Sequence, residues 1–335
     1  MKRILHVGVG PLGQNILKDL HSRDIGHLIA AVDPAPHLAD QPLAEFVPGA
    51  DEKIRILPSL DAFEQWDDID AAIVATSSDL RLCHDTFLTL LKRGKAVVST
   101  CEELLYPWLR HIALADELDE VAKAHGGRLL GTGVNPGFLM DTLAVAATAV
   151  CRDVTAVECH RIQDASTRRV PFQKKIGAAQ SEEQFAANVQ AGTLRHVGLG
   201  ESLHFIAHYL GLDIPRWEED INPVRAEKAL NSAIGPIPAG GISGVRQTAR
   251  GWSDGKEVVS MVFLAAIGQA NPHDRVIIHA EPPIDMTINN GVHGDVATSA
   301  IVINAVPRLL RAEPGLHTMA SLPMVRFMRP DHDPV

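Results

Sequence analysis

The chain begins with Arg3-Ile4-Leu5-His6-Val7-Gly8-Val9-Gly10-Pro11-Leu12-Gly13, an apolar run that leads into three glycines spaced G-x-G-x-x-G. Residues 14–20 continue with apolar side chains at helical spacing. In a dinucleotide-binding turn the first glycine permits a tight bend, the second lets a pyrophosphate approach, and the third lets helix and strand pack closely. The amides at the helix N-terminus then bind the diphosphate. The pattern predicts a nicotinamide- or flavin-dinucleotide site that includes Gly8, Gly10, Pro11, Leu12 and Gly13.

A carboxylate stands where such a site needs one. The apolar run Leu28 to Val32 ends at Asp33, which follows Gly13 by 20 residues. An acid at that distance binds the hydroxyls of the adenosine ribose. Residues 34–37 contain no arginine to receive a 2′-phosphate, so NAD is expected in preference to NADP.

Length and composition limit the class of protein. The 335 residues are enough for two domains or one large one. With 46% hydrophobic and 21% charged residues, a packed core is expected. The net charge of −10 and the absence of a lysine or arginine run argue against a nucleic-acid partner. No apolar run reaches the ~18 residues of a membrane helix, and Met1 leads directly into a strand. We expect a soluble, cytoplasmic protein with no membrane partner.

The four cysteines and the histidines show no zinc-ligand spacing. Reduced thiols and no bound metal are therefore expected.

Strands and helices alternate from residue 3 to about 135, which indicates βαβ units and a parallel sheet. Helices are predicted over residues 59–66, 79–92 and 105–125. After residue 150 the pattern changes to one long strand, helical stretches over 171–211, and a hairpin at Ser253-Asp254-Gly255. We predict an α/β protein with a Rossmann domain over residues 1–135 and an α+β domain with an open mixed sheet over 136–312. A final helix packs back, and residues 313–335 form a C-terminal extension.

Ligands of parallel sheets bind beyond the carboxyl ends of the strands. Two adjacent acids, Glu102 and Glu103, stand at such an end. One could face the nicotinamide, where a carboxylate stabilises a protonated imine or activates water, while the other caps the coming helix. Alternatively, both acids only cap the helix. Other strand ends supply candidate cofactor contacts at Thr76, Ser77, Ser78, Thr100, Cys101 and Asn135.

Asn135 lies in the glycine-rich stretch Gly131 to Asp141, which reads as a loop entering a helix. Its amide could hold the nicotinamide carboxamide; the alternative is a plain turn between domains.

Candidate substrate residues follow. Arg161 and Gln163 share one face of a strand, and Arg168 and Arg169 come soon after. Arginines in this arrangement could bind a carboxylate, or the face could simply be solvated. His196 could hydrogen-bond a substrate. The predicted substrate-binding residues are Phe138, Leu139, Met140, Arg161, Gln163, Arg168 and His196.

Taken together, these stretches resemble the 2,4-diaminopentanoate dehydrogenase and native amine dehydrogenase family, which is related to dihydrodipicolinate reductase. The resemblance runs over nearly the whole chain. It rests on Val7 to Gly13, Ser99 to Leu104, Gly131 to Asp141, Arg195 to Ser202, and Asn290 to Thr298, and continues to Leu316.

The resemblance implies reversible, NAD(P)-dependent oxidative deamination of a primary amine to a ketone or aldehyde plus ammonia, usually by a homodimer. It places the active-site glutamate at Glu102 or Glu103. The histidine pair, lysine and Ser-Gly-Thr loop of dihydrodipicolinate reductases have no counterpart in residues 150–180. Two alternatives stay open: a reductase of an imine or carbonyl substrate that does not use ammonia, and a dinucleotide-binding sensor without catalysis.

Overall fold

The computed structural model describes residues 2–168 and 170–329. The described residues fall into two compact units. One comprises those of Met1–Phe138 and His293–Val335, and the other those of Leu139–Val292. The final helix thus belongs to the first unit, whereas the predicted ranges placed residues 293–312 in the second domain.

The first unit is built on a seven-stranded sheet in which every pair of neighbours is parallel. The strands in chain order are β1 (Lys2–Val7), β2 (Gly26–Val32), β3 (Ile56–Leu57), β4 (Ala71–Val74), β5 (Ala96–Ser99), β6 (Arg128–Gly131) and β15 (Gly315–His317). Their spatial order is β15-β6-β5-β4-β1-β2-β3. The carboxyl ends of β1, β4 and β5 therefore lie side by side, as the predicted site requires.

Helices cover both faces of this sheet. Adjacent residues of a strand point to opposite faces and therefore pack against different helices. Leu5 packs with Phe87 and Leu90 on one face, whereas Ile4 packs with Val302 and Val306 on the other. The helices are α1 (Pro11–Ser22), α2 (Leu80–Leu91), α3 (Ile112–His125) and α8 (Gly294–Leu309). The final helix α8 packs against α1 and β5 within this unit.

Two predicted helices of the first unit are wrong in part. Residues 59–66 contain only a 3₁₀ turn at Leu60–Ala62, followed by another at Trp66–Asp68. The helix predicted from residue 105 begins at Ile112, after two 3₁₀ turns. Pro107 lacks the amide that a continuous helix would need there, which explains the break.

The second unit contains a six-stranded mixed sheet in the order β14-β13-β7-β12-β11-β8. Only β7 and β12 pair in parallel; the other neighbours are antiparallel. The strands are β7 (Arg152–Asp164), β8 (Arg216–Arg225), β11 (Ile242–Ser253), β12 (Lys256–Ala266), β13 (His273–Glu281) and β14 (Ile284–Asn289), beside a small ladder of β9 (Leu230–Asn231) and β10 (Pro236–Ile237). The helices are α4 (Thr142–Ala147), α5 (Val170–Lys175), α6 (Glu182–Gln190) and α7 (Leu199–Leu210).

The predicted hairpin is confirmed: β11 and β12 pair antiparallel around Asp254 and Gly255, whose φ angles are 47° and 75°. Helix α7 covers one face of this sheet at β11 and β12. The fold class is as predicted, a parallel Rossmann sheet and an open mixed sheet. Within the described part of the chain, no helix has both the length and the apolar character needed to cross a bilayer.

Candidate cofactor and catalytic site

The glycine turn after β1 gives each glycine a different task. Gly8 has a φ of 99°, which favours glycine, and its amide donates to Val32 O at 2.8 Å. A Cβ on Gly13 would lie 1.9 Å from Gly8 O, so this position admits no side chain. A Cβ on Gly10, the residue that precedes α1, would meet nothing within 4 Å. The space over Gly10 and the amides of α1 fit a pyrophosphate.

A histidine for which the sequence predicted no role contacts the backbone of this turn. His6 in β1 is fully buried, and its Nε2 lies 2.9 Å from Gly8 O. Since a carbonyl only accepts, Nε2 carries the proton and donates. Burial lowers the pKa of His6 to about 4, so the ring is neutral at pH 7. The sequence signal for this contact was the position of the histidine, in a buried strand just before a glycine turn.

Asp33 lies beside the glycine turn and shapes it. Its Oδ2 accepts from Val9 N at 2.7 Å, and its Oδ1 accepts from Ala35 N at 2.9 Å. Each carboxylate oxygen keeps a further lone pair for a ribose hydroxyl. The structure therefore brings the two predicted parts of a dinucleotide site together.

The loops after β4 and β5 are tied to each other. Cys101 Sγ donates to Ser78 O at 3.3 Å, and Thr100 N donates to Val74 O at 3.0 Å. Ser77 Oγ accepts from Asp79 N at 3.1 Å. Thr76, by contrast, is exposed. These contacts place the predicted cofactor residues of both loops at one edge of the sheet.

All four cysteines are free; Cys101 lies in the loop after β5, and Cys83 lies in α2. A hydrogen bond with Cys101 is the largest cause that lowers the pKa of Cys83, whose thiol also lies 3.5 Å from Thr76 Oγ1.

Glu103 holds the start of α2. Its Oε2 accepts from Leu80 N at 2.9 Å and lies 2.8 Å from His111 Nε2. The expectation that one acid of the pair caps the coming helix is thus corrected: Glu103 accepts from the first amide of α2, a helix that lies earlier in the chain and has Asp79 as its N-cap. Tertiary contact between neighbouring strand ends, which local sequence does not encode, decides this.

Glu102 is the first residue of the 3₁₀ turn Glu102–Leu105 and is half-buried. The predicted alternative that both acids cap the same helix does not match this arrangement.

Asp79, Glu103 and His111 also meet the distance requirement of a metal site, with one donor atom each within 4.8 Å of the others. Asp79 accepts from Arg81 N at 2.9 Å and binds the Arg81 guanidinium at 2.6 Å. This guanidinium is the largest cause that lowers the pKa of Asp79. The hydrogen bonds of the acids account for the cluster without an ion, and the expectation of no metal stays a prediction.

The Asn135 loop is a tight turn within the first unit. The Asn135–Pro136 peptide bond is cis, and Gly137 has a φ of 133°. Val134 N donates to Thr298 Oγ1 of α8 at 3.2 Å, which fixes the loop to the final helix. Asn135 itself is half-buried, and its role toward a carboxamide stays a prediction.

In the second unit, the predicted carboxylate-binding arginine is already paired. Arg161 is 2% exposed, and its Nη1 donates to Asp274 Oδ1 at 2.7 Å. Its Nη2 donates to Val292 O at 3.1 Å, and Asp274 Oδ2 accepts from Val292 N at 2.7 Å. The amide oxygen of Gln163 accepts a further bond from the same guanidinium. Although burial lowers the pKa of Arg161, the Asp274 carboxylate opposes this shift.

His196 is likewise held by its own domain. Its ring stacks on Phe263 with centroids 4.3 Å apart, and its amide donates to Gln247 Oε1 at 2.7 Å. Burial and nearby cations lower the pKa of His196 to about 3. A neutral imidazole at this position could donate or accept one hydrogen bond but could not carry charge at pH 7.

The other predicted substrate residues differ in exposure. Phe138 is half-buried in the first unit, whereas Leu139 and Met140 of the second are buried. The Arg168 guanidinium lies 4.2 Å from the centroid of the Phe172 ring. Arg169 lies outside the described residues. The substrate roles of all these residues stay predictions.

The chain is similar in sequence to known proteins. Residues 138–334 match the family model of the 2,4-diaminopentanoate dehydrogenase C-terminal domain. The 2,4-diaminopentanoate dehydrogenase of Acetoanaerobium sticklandii is 32% identical over 269 residues, which are 78% of this chain and 76% of that protein. An amine dehydrogenase of Streptomyces virginiae is 24% identical over 303 residues, 78% of this chain and 81% of its own length.

Solved structures agree on the fold. The amine dehydrogenase of Mycobacterium smegmatis superposes with a TM-score of 0.84 at 20% identity and covers 99% of this chain and 98% of its own. The WlbA dehydrogenase of Bordetella pertussis, solved with NADH and UDP-GlcNAcA, gives 0.53 at 15% identity, over 94% of this chain and 90% of its own. The chain therefore belongs to the 2,4-diaminopentanoate dehydrogenase family.

Proposed function

We propose that this chain catalyses reversible oxidative deamination of a primary amine, with Glu102 as the acid–base group. As a member of its family, the chain is an NAD(P)-dependent oxidoreductase that acts on amines. The observation that carries the choice of Glu102 is the double hydrogen bonding of its neighbour: Glu103 Oε2 is engaged by Leu80 N and by His111.

The glycine turn and Asp33 would hold a nicotinamide dinucleotide, which would supply the acceptor for the hydride of the amine carbon. The carboxylate of Glu102 stabilises the positive charge of the resulting C=N⁺ group in the substrate. The same carboxylate then takes a proton from the water that attacks the imine carbon and gives it to the nitrogen. The C–N bond breaks to release ammonia, and the remaining hydroxyl loses its proton as the carbonyl product forms. In reductive amination the proton transfers run in the opposite order.

The Glu102→Gln variant tests this assignment, because glutamine keeps the size of the side chain but cannot take a proton. We expect turnover to fall about 10²–10⁴-fold while NADH affinity stays within about twofold. Turnover by stopped-flow absorbance and NADH binding by fluorescence measure the two. Unchanged turnover in Glu102→Gln would remove the acid–base role.

We further propose NAD as the preferred dinucleotide. Asp33 presents a negative charge beside the glycine turn, where a 2′-phosphate would be repelled, and no arginine follows it in residues 34–37. The ratio of kcat/KM values for NAD and NADP measures this preference, which a ratio below one would contradict.

The substrate class follows from a matched pair of amines. The ion pair of Arg161 with Asp274 removes the reason to expect a substrate carboxylate at Arg161. Activity on 2,4-diaminopentanoate beside activity on cyclohexylamine tests whether another group supplies carboxylate recognition.

Two other functions make different predictions. A reductase that does not use ammonia would oxidise NADH with a ketone in the absence of ammonium, whereas an amine dehydrogenase requires it. A sensor would bind NADH and turn over none of the amines or ketones. The hydrogen-bonded loops after β4 and β5, the second of which carries Glu102, favour the enzyme.

We also propose a homodimer. Ile162, Val262, Leu264 and Ile277 lie on the sheet face opposite the buried residues Cys159 and Phe263, and they are partly exposed. Leu264 pairs directly with Ile162 across the two strands. Light scattering of the wild type and of Leu264→Arg tests this: we expect a dimer that becomes a monomer in the variant.

A further inference from the structure

Glu103 joins the two loops that carry the candidate cofactor and catalytic residues. Its amide donates to Ser78 O at 3.3 Å, and its carboxylate accepts from Leu80 N at 2.9 Å. The first contact reaches the loop between β4 and α2, and the second reaches the first residue of α2. One residue of the β5 loop therefore holds both the neighbouring loop and the start of the helix that follows it.

His111 holds the same carboxylate from a third element. It immediately precedes α3, and its Nε2 lies 2.8 Å from Glu103 Oε2. The side chains of His111 and Glu103 are only 14% and 15% exposed, so water competes weakly for this contact. Because two donors converge on one oxygen, the Glu103 side chain has little freedom to rotate.

Glu102 shares a peptide bond with Glu103. Any shift of Glu103 is therefore transmitted through the backbone to Glu102. The contacts described above reach Glu102 only through Glu103. A displacement of about 1 Å at a reacting group is enough to cost up to about 100-fold in rate.

We propose that Glu103 and His111 form a positioning pair, which sets the place of Glu102 relative to the loop Thr76–Ser78 and takes no part in proton transfer itself. This inference rests on the proposed role of Glu102. The two adjacent acids then have separate roles: Glu102 transfers protons, and Glu103 positions Glu102.

Three single variants and one double variant test the pair: Glu103→Gln, Glu103→Ala, His111→Ala and Glu103→Ala/His111→Ala. Glutamine keeps an oxygen that accepts from Leu80 N and from His111, so we expect kcat within about threefold of wild type. The two alanine variants remove the contact, and each should lower kcat about 10–100-fold. The double variant Glu103→Ala/His111→Ala should have a kcat at most about threefold below that of Glu103→Ala, because the residues act as one unit.

Glu117→Ala is the matched control. His84 Nε2 lies 3.0 Å from Glu117 Oε2, and this contact also links α2 to α3 but lies outside the two loops. We expect its loss to affect the melting temperature and leave kcat unchanged. All kcat values are measured by single turnover at saturating amine and NAD, well below the lowest melting temperature of the set.

Each outcome has a meaning. Unchanged kcat in both Glu103→Ala and His111→Ala overturns the positioning role, even if both variants are less stable. A loss in Glu103→Gln as large as that in Glu102→Gln assigns proton transfer to Glu103 and overturns it too. If Glu103→Ala fails to fold, His111→Ala and Glu103→Gln decide alone. Unchanged turnover in Glu102→Gln, by contrast, contradicts the proposed function and is independent of these results.

Discussion

The two units of the chain use their polar side chains in opposite ways. In the first unit, Asp33 and Glu103 bond mainly to backbone amides and thereby give loops at the sheet edge their shape. In the second, Arg161 and Asp274 bond to each other inside the domain. Polar residues at the ends of parallel strands thus indicate a binding site. Polar residues along a covered sheet face also serve to satisfy each other's hydrogen-bonding groups. Four pairs of measurements test how far this contrast holds.

The largest effect is expected for Arg161→Ala. Removing the guanidinium leaves the Asp274 carboxylate buried without its counterion, which lowers the free energy of unfolding by about 3–5 kcal/mol. Arg152→Ala is the control on the same strand, because its partner Glu281 and Arg152 itself are 62% and 79% exposed. Its loss should cost about 0–1 kcal/mol. Urea denaturation measures both. Unchanged stability with a raised KM for the amine would instead make Arg161 a substrate residue and abolish the contrast.

Next comes Gly13→Ala in the first unit. Its methyl group would lie against Gly8 O, so the helix must shift, at a cost of about 1–3 kcal/mol. The matched variant Gly10→Ala meets open space and should keep the stability of the wild type while weakening NADH binding at least about tenfold, because the methyl group occupies the place of the pyrophosphate. Equal NADH affinity in Gly10→Ala and wild type would argue against the predicted cofactor position.

A third test uses the buried histidine beneath the glycine turn. The pKa of His6 is about 4 in the folded chain, below the usual value of 6.5. Above pH 6.5 the ring is neutral in both states, but as the pH falls the unfolded chain gains protons that the folded chain does not. Stability should therefore decrease between pH 6.5 and 4, by about 2 kcal/mol at pH 5 from His6. Unfolding curves of wild type and His6→Gln at pH 8 and 5 measure the difference, which should shrink in the variant.

His196 in the second unit has a pKa of about 3 and contributes with the same sign. If His6→Gln and wild type lose stability equally on acidification, proton uptake by other groups dominates.

The smallest effects should be equal in the two units. Asp79 caps α2, and Ser181 caps α6 in a capping box with Gln184. Asp79→Ala and Ser181→Ala should each cost about 1 kcal/mol of unfolding free energy. A far larger loss in Asp79→Ala would show that its contact with Arg81 also supports the site.

The accuracy of the sequence predictions follows the same contrast. The glycine turn and Asp33 were predictable because their roles depend on backbone geometry at fixed spacing. Strand β8 was missed because its outward residues are charged, and β15 because three residues carry little pattern. The hydrogen bond from Leu80 N at the start of α2 to Glu103 was not predictable, since the two residues meet only through the order of strands in the sheet. Nor was the Asp274 partner of Arg161, which lies 113 positions further along the chain.

The double bonding of Asp33 has a consequence for anyone who wishes to change the dinucleotide that this enzyme accepts. Exchanging the aspartate for a small neutral residue would remove the charge that repels a phosphate, but it would also strip Val9 and Ala35 of their acceptors. A redesign toward the phosphorylated coenzyme should therefore retain an oxygen at position 33, where asparagine keeps an acceptor for one of the two amides, and introduce the compensating cation from the segment that follows it.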